Sequence, residues 1–147
     1  MSEADVTAPL DLPAHVRDYL VRVTDVYRTH DLDAIVRDVV TADVEFIDHR
    51  PLGADPVVGR DAARSWLETS FEFIPDFQAS VEVLAHDGGD VYLARDTYTG
   101  NGAAAFGPAE TQWYVVDRLR DGKLAREDIF GDEATARAAF DHQRTAT

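Results

Sequence analysis

Residues 45–53, Glu-Phe-Ile-Asp-His-Arg-Pro-Leu-Gly, set a carboxylate, an imidazole and a guanidinium side by side at Asp48, His49 and Arg50. They stand where an alternating stretch runs into a turn with proline and glycine. Such a strand end is either ordinary surface or the rim of a site, and Asp and His are residue types that transfer protons. On a regular strand Asp48 and His49 point to opposite faces, so only one of them faces a cavity. A second charged alternation, Ala-Arg-Glu-Asp-Ile-Phe at 125–130, carries Arg126 and Asp128. Its plain reading is a solvated strand. In apolar surroundings, however, desolvation would raise the Asp128 pKa and make it a usable acid or base. Arg126, two residues away, opposes that shift and suits an oxygen-bearing group or developing negative charge. The remaining histidines, His15, His30, His86 and His142, have no metal-ligand spacing, and neither metal nor cofactor is expected.

The elements that must position these groups follow from periodicity. After Asp11 and Pro13, residues 13–29 place Val16, Tyr19, Leu20, Val23 and Tyr27 at helical spacing on one face. A second helix, capped by Asp31, covers residues 30–40. A first strand spans 43–49, and a third helix stops near Pro75. The period then changes to two: strands follow over about 77–85, 91–100, 108–120 and 123–130, with Asp121-Gly122 as a hairpin turn. Asp132 caps a last helix over 133–142. The order α-α-β-α-β-β-β-β-α is α+β, with helices on one face of a long curved sheet.

Composition narrows the partners. The chain has 147 residues, a formal net charge of −14 and no cysteine. That excludes disulfides and thiolate chemistry and argues against nucleic acid and anionic membranes, whose phosphates would repel it. The acidic start lacks an apolar core and no apolar run is long enough to span a bilayer, so a cytoplasmic protein is expected. Residues 1–12 read as a flexible tail, 13–142 as one domain and 143–147 as a short C-terminal tail.

The order of elements, with the phrases HDLDAIV, VEFIDHRPLG, VVGRDAARSW and GKLAREDIFGD, resembles the nuclear-transport-factor-2-like superfamily, in its SnoaL-like polyketide cyclase and ketosteroid isomerase-like branch. The resemblance spans roughly residues 13–135. It implies a cone-shaped α+β barrel, a curved and mostly antiparallel sheet wrapped around three N-terminal helices and enclosing a pocket. It also implies a catalytic slot within Asp48-His49-Arg50, and a last strand that turns Arg126, Asp128 and Phe130 into the cavity. Where the isomerases carry an oxyanion-holding tyrosine and acid, this chain has Val23 and Val115 or a neighbour, which speaks against steroid isomerisation. The Arg-x-Asp of the epoxide hydrolases of this fold is replaced by adjacent Arg95-Asp96, which lie on opposite strand faces. Either reads better as part of a dimer-face salt bridge than as a catalytic group, and which of them faces the pocket stays open.

The expected protein is a cofactor-independent cyclase or isomerase acting on an apolar, polyketide-like substrate. Asp48 or His49 would move the proton, with Asp128 as partner acid or base and Arg126 stabilising negative charge. Tyr19, Val23, Tyr27, Trp66, Tyr98, Trp113 and Phe130 would line the pocket. The alternatives are a hydrolase or dehydratase on the same scaffold, and a non-catalytic small-molecule-binding or dimerisation module. A homodimer through the outward sheet face is expected, because Val91 and Leu93 against Tyr92 and Ala94 make that strand apolar on both parities.

Overall fold

A computed structural model describes residues 6–51, 53, 55–73, 78–100 and 109–145. Helix α1 (Ala14–Thr29) begins after Pro13 and buries Val16, Tyr19, Leu20 and Val23 along one stripe. It ends at His30, which takes the left-handed conformation (φ 55°) and donates its N–H to the Tyr27 carbonyl. The Asp31 side chain accepts from the Ala34 N–H at 3.1 Å and starts α2 (Leu32–Ala34). The helix expected to run to residue 40 instead widens into a π-helical turn over Ile35–Val39, which buries Ile35 and Val39 together. Strand β2 (Val40–Asp48) therefore starts three residues earlier than its periodicity suggests.

After the short β3 (Val57–Val58), helix α3 (Arg60–Phe73) leads to β4 (Gln78–His86), β5 (Val91–Gly100), β6 (Ala109–Arg120) and β7 (Lys123–Phe130). The β6–β7 hairpin turns at Asp121 and Gly122, both at positive φ (54° and 76°), as a two-residue Asp-Gly turn requires. Helix α4 (Glu133–Thr145) closes the chain and runs beyond the expected boundary at 142. Val6 and Thr7, expected in the loose tail, form β1 and pair in parallel with Val81 and Glu82, while Leu12 packs into the core. The sheet order is β1-β4-β5-β6-β7-β2-β3, with β2 parallel to β7 and β4 through β7 antiparallel.

Both faces of this sheet carry an apolar core. The inner face meets α1, the π turn and α3 in a core that includes Val44, Phe46, Val83, Tyr92, Val115 and Ile129. The outer face carries a smaller core, where Val91, Leu93, Val116 and Phe130 pack against Ala136 and Phe140 of α4. The apolar outer parity of β5, the reason for expecting a second copy of the chain, is thus covered by the chain's own last helix. No helix among the described residues is long and apolar enough to cross a membrane.

Candidate active site

Antiparallel and parallel partners share a face, so strand register decides which acids look inward. Tyr92 pairs with Asp117, Asp117 with Glu127, and Glu127 with Phe46, a row running across β5, β6, β7 and β2 on the inner face. Asp96 lies on the same face of β5 beside Trp113, its partner on β6. Between this face and α1 is a cavity of about 30 Å³ lined by Tyr19, Val23, Tyr27, Asp96, Asp117 and Glu127, among others. A second compartment of about 60 Å³ lies under α3, walled by Trp66, Phe71 and Trp113. Tyr27, Tyr98 and Glu127 border both, so they form the waist between them. Among the described residues, no Arg, Lys or His lines either compartment.

Three carboxyls without a counter-cation cannot all stay ionised in such a place. Burial first, then repulsion from Asp117, pushes the Asp96 carboxyl up to about 8; the Tyr98 hydroxyl donates to it at 3.1 Å. Burial also lifts Asp117 to about 6, against a hydrogen bond from Glu127 and one from the Tyr92 hydroxyl at 2.5 Å. Glu127 rises well above the usual carboxylate range, through burial and then the charges of Asp117 and Asp96. Asp117 Oδ1 is buried and receives no N–H or hydroxyl donor among the described residues, and the proton held on Glu127 links the two acids. Like charges at close range share one proton instead of ionising together. The tyrosines around them are also pushed up by burial, so their hydroxyls are proton donors at neutral pH. Trp113 Nε1 is buried with no acceptor among the described residues.

The expected residues divide between the faces. Tyr19, Val23, Tyr27, Trp66, Tyr98 and Trp113 line the inner hollow. Asp48 shares the inner face with its partner Ile129 but is not among the residues that line either compartment. Arg50 binds it through Nε at 2.8 Å and Nη2 at 2.6 Å, and the same guanidinium lies 4.7 Å over the Trp113 ring. His49, Arg126, Asp128 and Phe130 come together on the opposite face, against α4. The placement of Arg126, Asp128 and Phe130 in the cavity is thereby corrected. The cause is a β-bulge: Leu119 pairs with Leu124 but Arg118 with Arg126, which leaves Ala125 as an extra residue. Leu124 faces inward, and beyond the bulge the inward positions are Glu127 and Ile129. Arg95, too, lies outward, ion-paired to its partner Glu82.

Asp128 is 2% exposed and accepts from His49 Nε2 at 2.8 Å, from Arg126 Nε and Nη2 at 2.9 and 3.0 Å, and from Gln143 Nε2 at 3.0 Å. Burial would raise its pKa, yet these donors outweigh it and hold the carboxyl below the usual range. It is a fixed acceptor with no proton to give. Sequence reasoning set Asp96 aside as a salt-bridge residue and passed over Asp117 and Glu127, yet the two aspartates have one visible signal. Asp96 and Asp117 sit on otherwise apolar parities, Tyr92-Ala94-Asp96-Tyr98 and Trp113-Val115-Asp117-Leu119. No group of described His, Asp or Glu residues is arranged to hold a metal ion.

A family model for the SnoaL-like domain matches residues 20–127. Among solved structures, the chain is similar to a protein from Jannaschia sp. CCS1 assigned to the SnoaL-like polyketide cyclases, at 19% identity and TM-score 0.64 over 88% of this chain and 93% of that one. It is also similar to TerC co-crystallised with polyporic acid, at 16% identity and TM-score 0.65 over 87% and 99%. A third is a hypothetical protein of ketosteroid isomerase-like fold from Catenulispora acidiphila DSM 44928 in complex with trimethylamine, at 17% identity and TM-score 0.64 over 86% and 92%. At these identities the likeness carries the fold. No curated protein matches the sequence.

Proposed function

The chain belongs to the SnoaL-like domain family, and from that premise we propose that it is a cofactor-independent acid–base catalyst of the isomerase or cyclase kind, acting on a small apolar carbonyl compound in the inner hollow. One observation carries the reading: three carboxyls on three adjacent strands face one apolar hollow whose described lining residues include no Arg, Lys or His. Their protonation states divide accordingly. Asp117, at about 6, is largely ionised at pH 7 and is the base that removes a proton α to the carbonyl. Glu127 and Asp96, both raised, keep their protons. On binding, the Glu127 proton turns from Asp117 to the oxygen that gains negative charge, which frees Asp117 as the base, and the Asp96 carboxyl donates to the same oxygen. Trp113 Nε1, a buried donor without an acceptor, is a further donor toward that oxygen. The same proton, returned from Asp117 to another carbon, completes an isomerisation. In a cyclisation the carbanion adds to a second carbonyl carbon of the same molecule, the C=O π pair moves to that oxygen, and the oxygen takes the proton back from Asp117.

Size limits the substrate. Compartments of about 30 and 60 Å³ hold a few atoms each, and a larger molecule needs Tyr27 and Tyr98 to swing and join them. A polyketide-like ligand enters only in that opened form. Arg95, ion-paired to Glu82 on the outer face, supplies no group to a hydrolase or dehydratase reading of the inner hollow, which would rest on the same three acids.

A second reading rests on the same lining. Acids among aromatic rings also suit a small amine cation, held by ionised carboxylates and π faces. One titration separates the two. A naphthol, whose absorption reports its own ionisation, and trimethylammonium are each added to the protein. Catalysis of the proposed kind expects the naphthol to bind as the hydrogen-bonded naphtholate, weakened at least tenfold by Glu127→Gln and tightened by Asp117→Asn, which removes a repelling charge. Trimethylammonium binding that releases protons, with no naphthol binding, would favour the amine reading. Neither ligand perturbing the Trp113 indole signal would overturn both.

A further inference from the structure

The outer face holds a groove of about 410 Å³ between β7 and α4, independent of the inner hollow. Phe130 and Ala139 give it apolar walls, and His49, Arg118, Arg126 and Gln143 give it donors. The His49 ring is stacked on Phe130 at 4.6 Å and 3°. Arg118 and Arg126 are cross-strand partners on the same face. Directly opposed like charges destabilise a sheet, because their Cβ atoms are only about 5 Å apart. Arg126 is compensated, through Asp128 and, at 3.5 Å, Glu45. Arg118, also bordering the groove, has no ion pair or side-chain hydrogen bond among the described residues. In a chain with net charge −14, an uncompensated guanidinium beside another is a feature that a bound anion would explain.

We propose that this groove binds an organic oxyanion, a carboxylate or phosphate, with its oxygens bridging Arg118 and Arg126 and its apolar body along Phe130 and Ala139. The donor geometry is ready for it. Asp128 accepts hydrogen bonds from His49 Nε2 and from Nε and Nη2 of Arg126, so it fixes the imidazole and the guanidinium without being available to a ligand. Asp128 is a positioning residue here. Paired guanidiniums suit planar carboxylates and phosphates through parallel N–H···O bonds. The volume lies in the range that takes a small aromatic acid.

The test uses the whole chain with four probes: benzoate, phenyl phosphate, inorganic phosphate and neutral benzamide. Amide and side-chain NMR shifts locate each probe, and thermal unfolding reads its stabilisation. Benzoate and phenyl phosphate should shift Arg118, Phe130 and Gln143 signals, bind at least tenfold more tightly than inorganic phosphate and raise the unfolding temperature, while benzamide does neither. Arg118→Gln should lose at least tenfold in affinity and the anion-dependent stabilisation. Without anion it should unfold at the same or a higher temperature, since a repulsion has been removed; a merely structural arginine would lower it. Equal binding to Arg118→Gln, equal binding of inorganic phosphate, or a dimer in sedimentation that buries Arg118 would each overturn the proposal.

Discussion

Glu127 and Asp128 are adjacent in the chain, yet one carboxyl is pushed far up and the other held down. Glu127 looks inward at Asp117, Asp96 and a set of tyrosines, with no cation lining the hollow. Asp128 looks outward and accepts four hydrogen bonds, three of them from His49 and Arg126. Burial acts on both; the partners decide the sign. A buried acid without donors is a proton reservoir suited to chemistry, whereas one saturated by donors is a structural anchor. The sequence neighbourhood is the same, so the difference is made entirely by which side of the sheet each residue faces.

The largest expected effect comes from breaking the anchored acid. Asp128→Asn presents an NH2 group to donors that need an acceptor, and leaves part of the Arg126 and His49 network unmatched. We expect a loss of about 2 kcal/mol, kept below the value for a fully buried pair because both partners reach solvent. Naphthol affinity in the inner hollow should change by less than about twofold, as expected for a site on the other side of the sheet. Denaturant unfolding and naphthol titration check the two halves. A variant of unchanged stability that has lost inner-hollow binding would reverse the assignment of the two faces.

The next effect is one of pH. The Asp96 carboxyl is raised to about 8 in the folded chain and has an ordinary value near 4 when unfolded. The folded state therefore holds a proton that the unfolded state has released, and the stability this contributes is lost as pH rises from about 4 to about 8. Asp128 runs the opposite way: its depressed pKa contributes stability above the ordinary carboxylate range, lost as pH falls below it. Asp96→Asn keeps an acceptor for the Tyr98 hydroxyl and cannot ionise. It should flatten the decline between pH 6 and 8 and gain about 1–2 kcal/mol at pH 8, one pK unit being about 1.4 kcal/mol. Urea unfolding at stepped pH measures it. An unchanged slope would mean that Asp96 is ionised in the folded chain and that the inner hollow is not the proton reservoir described.

Much of this architecture was legible in the residues. The 3.6-residue spacing of Val16, Tyr19, Leu20 and Val23, the Asp31 cap and the Asp121-Gly122 turn each follow from local chemistry, and each is present. Alternation also implied that Asp48 and His49 must part; Asp48 faces inward and His49 outward. What was hidden is backbone irregularity. The π turn at Ile35–Val39 ends a helix that polar and apolar spacing would continue. On β7, Leu124, Arg126, Asp128 and Phe130 share a parity anchored by two apolar residues, so simple alternation assigns all four to one face. An extra residue at Ala125 has no compositional mark, and it moves the two charges and Phe130 to the other side.

That bulge makes a last and smallest prediction. Deleting a residue from a regular strand inverts every side chain beyond it and exposes one core while burying charges. Ala125 is different, because the ladder already skips it: Leu119 pairs with Leu124, and Arg118 with Arg126. Removing Ala125 leaves Leu124 and Glu127 separated by one residue, both still inward, and Asp128 and Phe130 still outward. The cost should be limited to local repacking and to the adjoining irregular pairing of β2 between Val40 and Glu45, about 1 kcal/mol or less, in line with changes that keep a ladder's facing pattern. Deleting Val116, in the regular ladder of β6 with β5, serves as the contrast and should prevent folding. The two deletions are compared by denaturant unfolding and by the near-ultraviolet circular dichroism of Trp66 and Trp113. If deletion of Ala125 is as damaging as deletion of Val116, Ala125 is an ordinary strand position and the separation of Glu127 from Asp128 needs another cause.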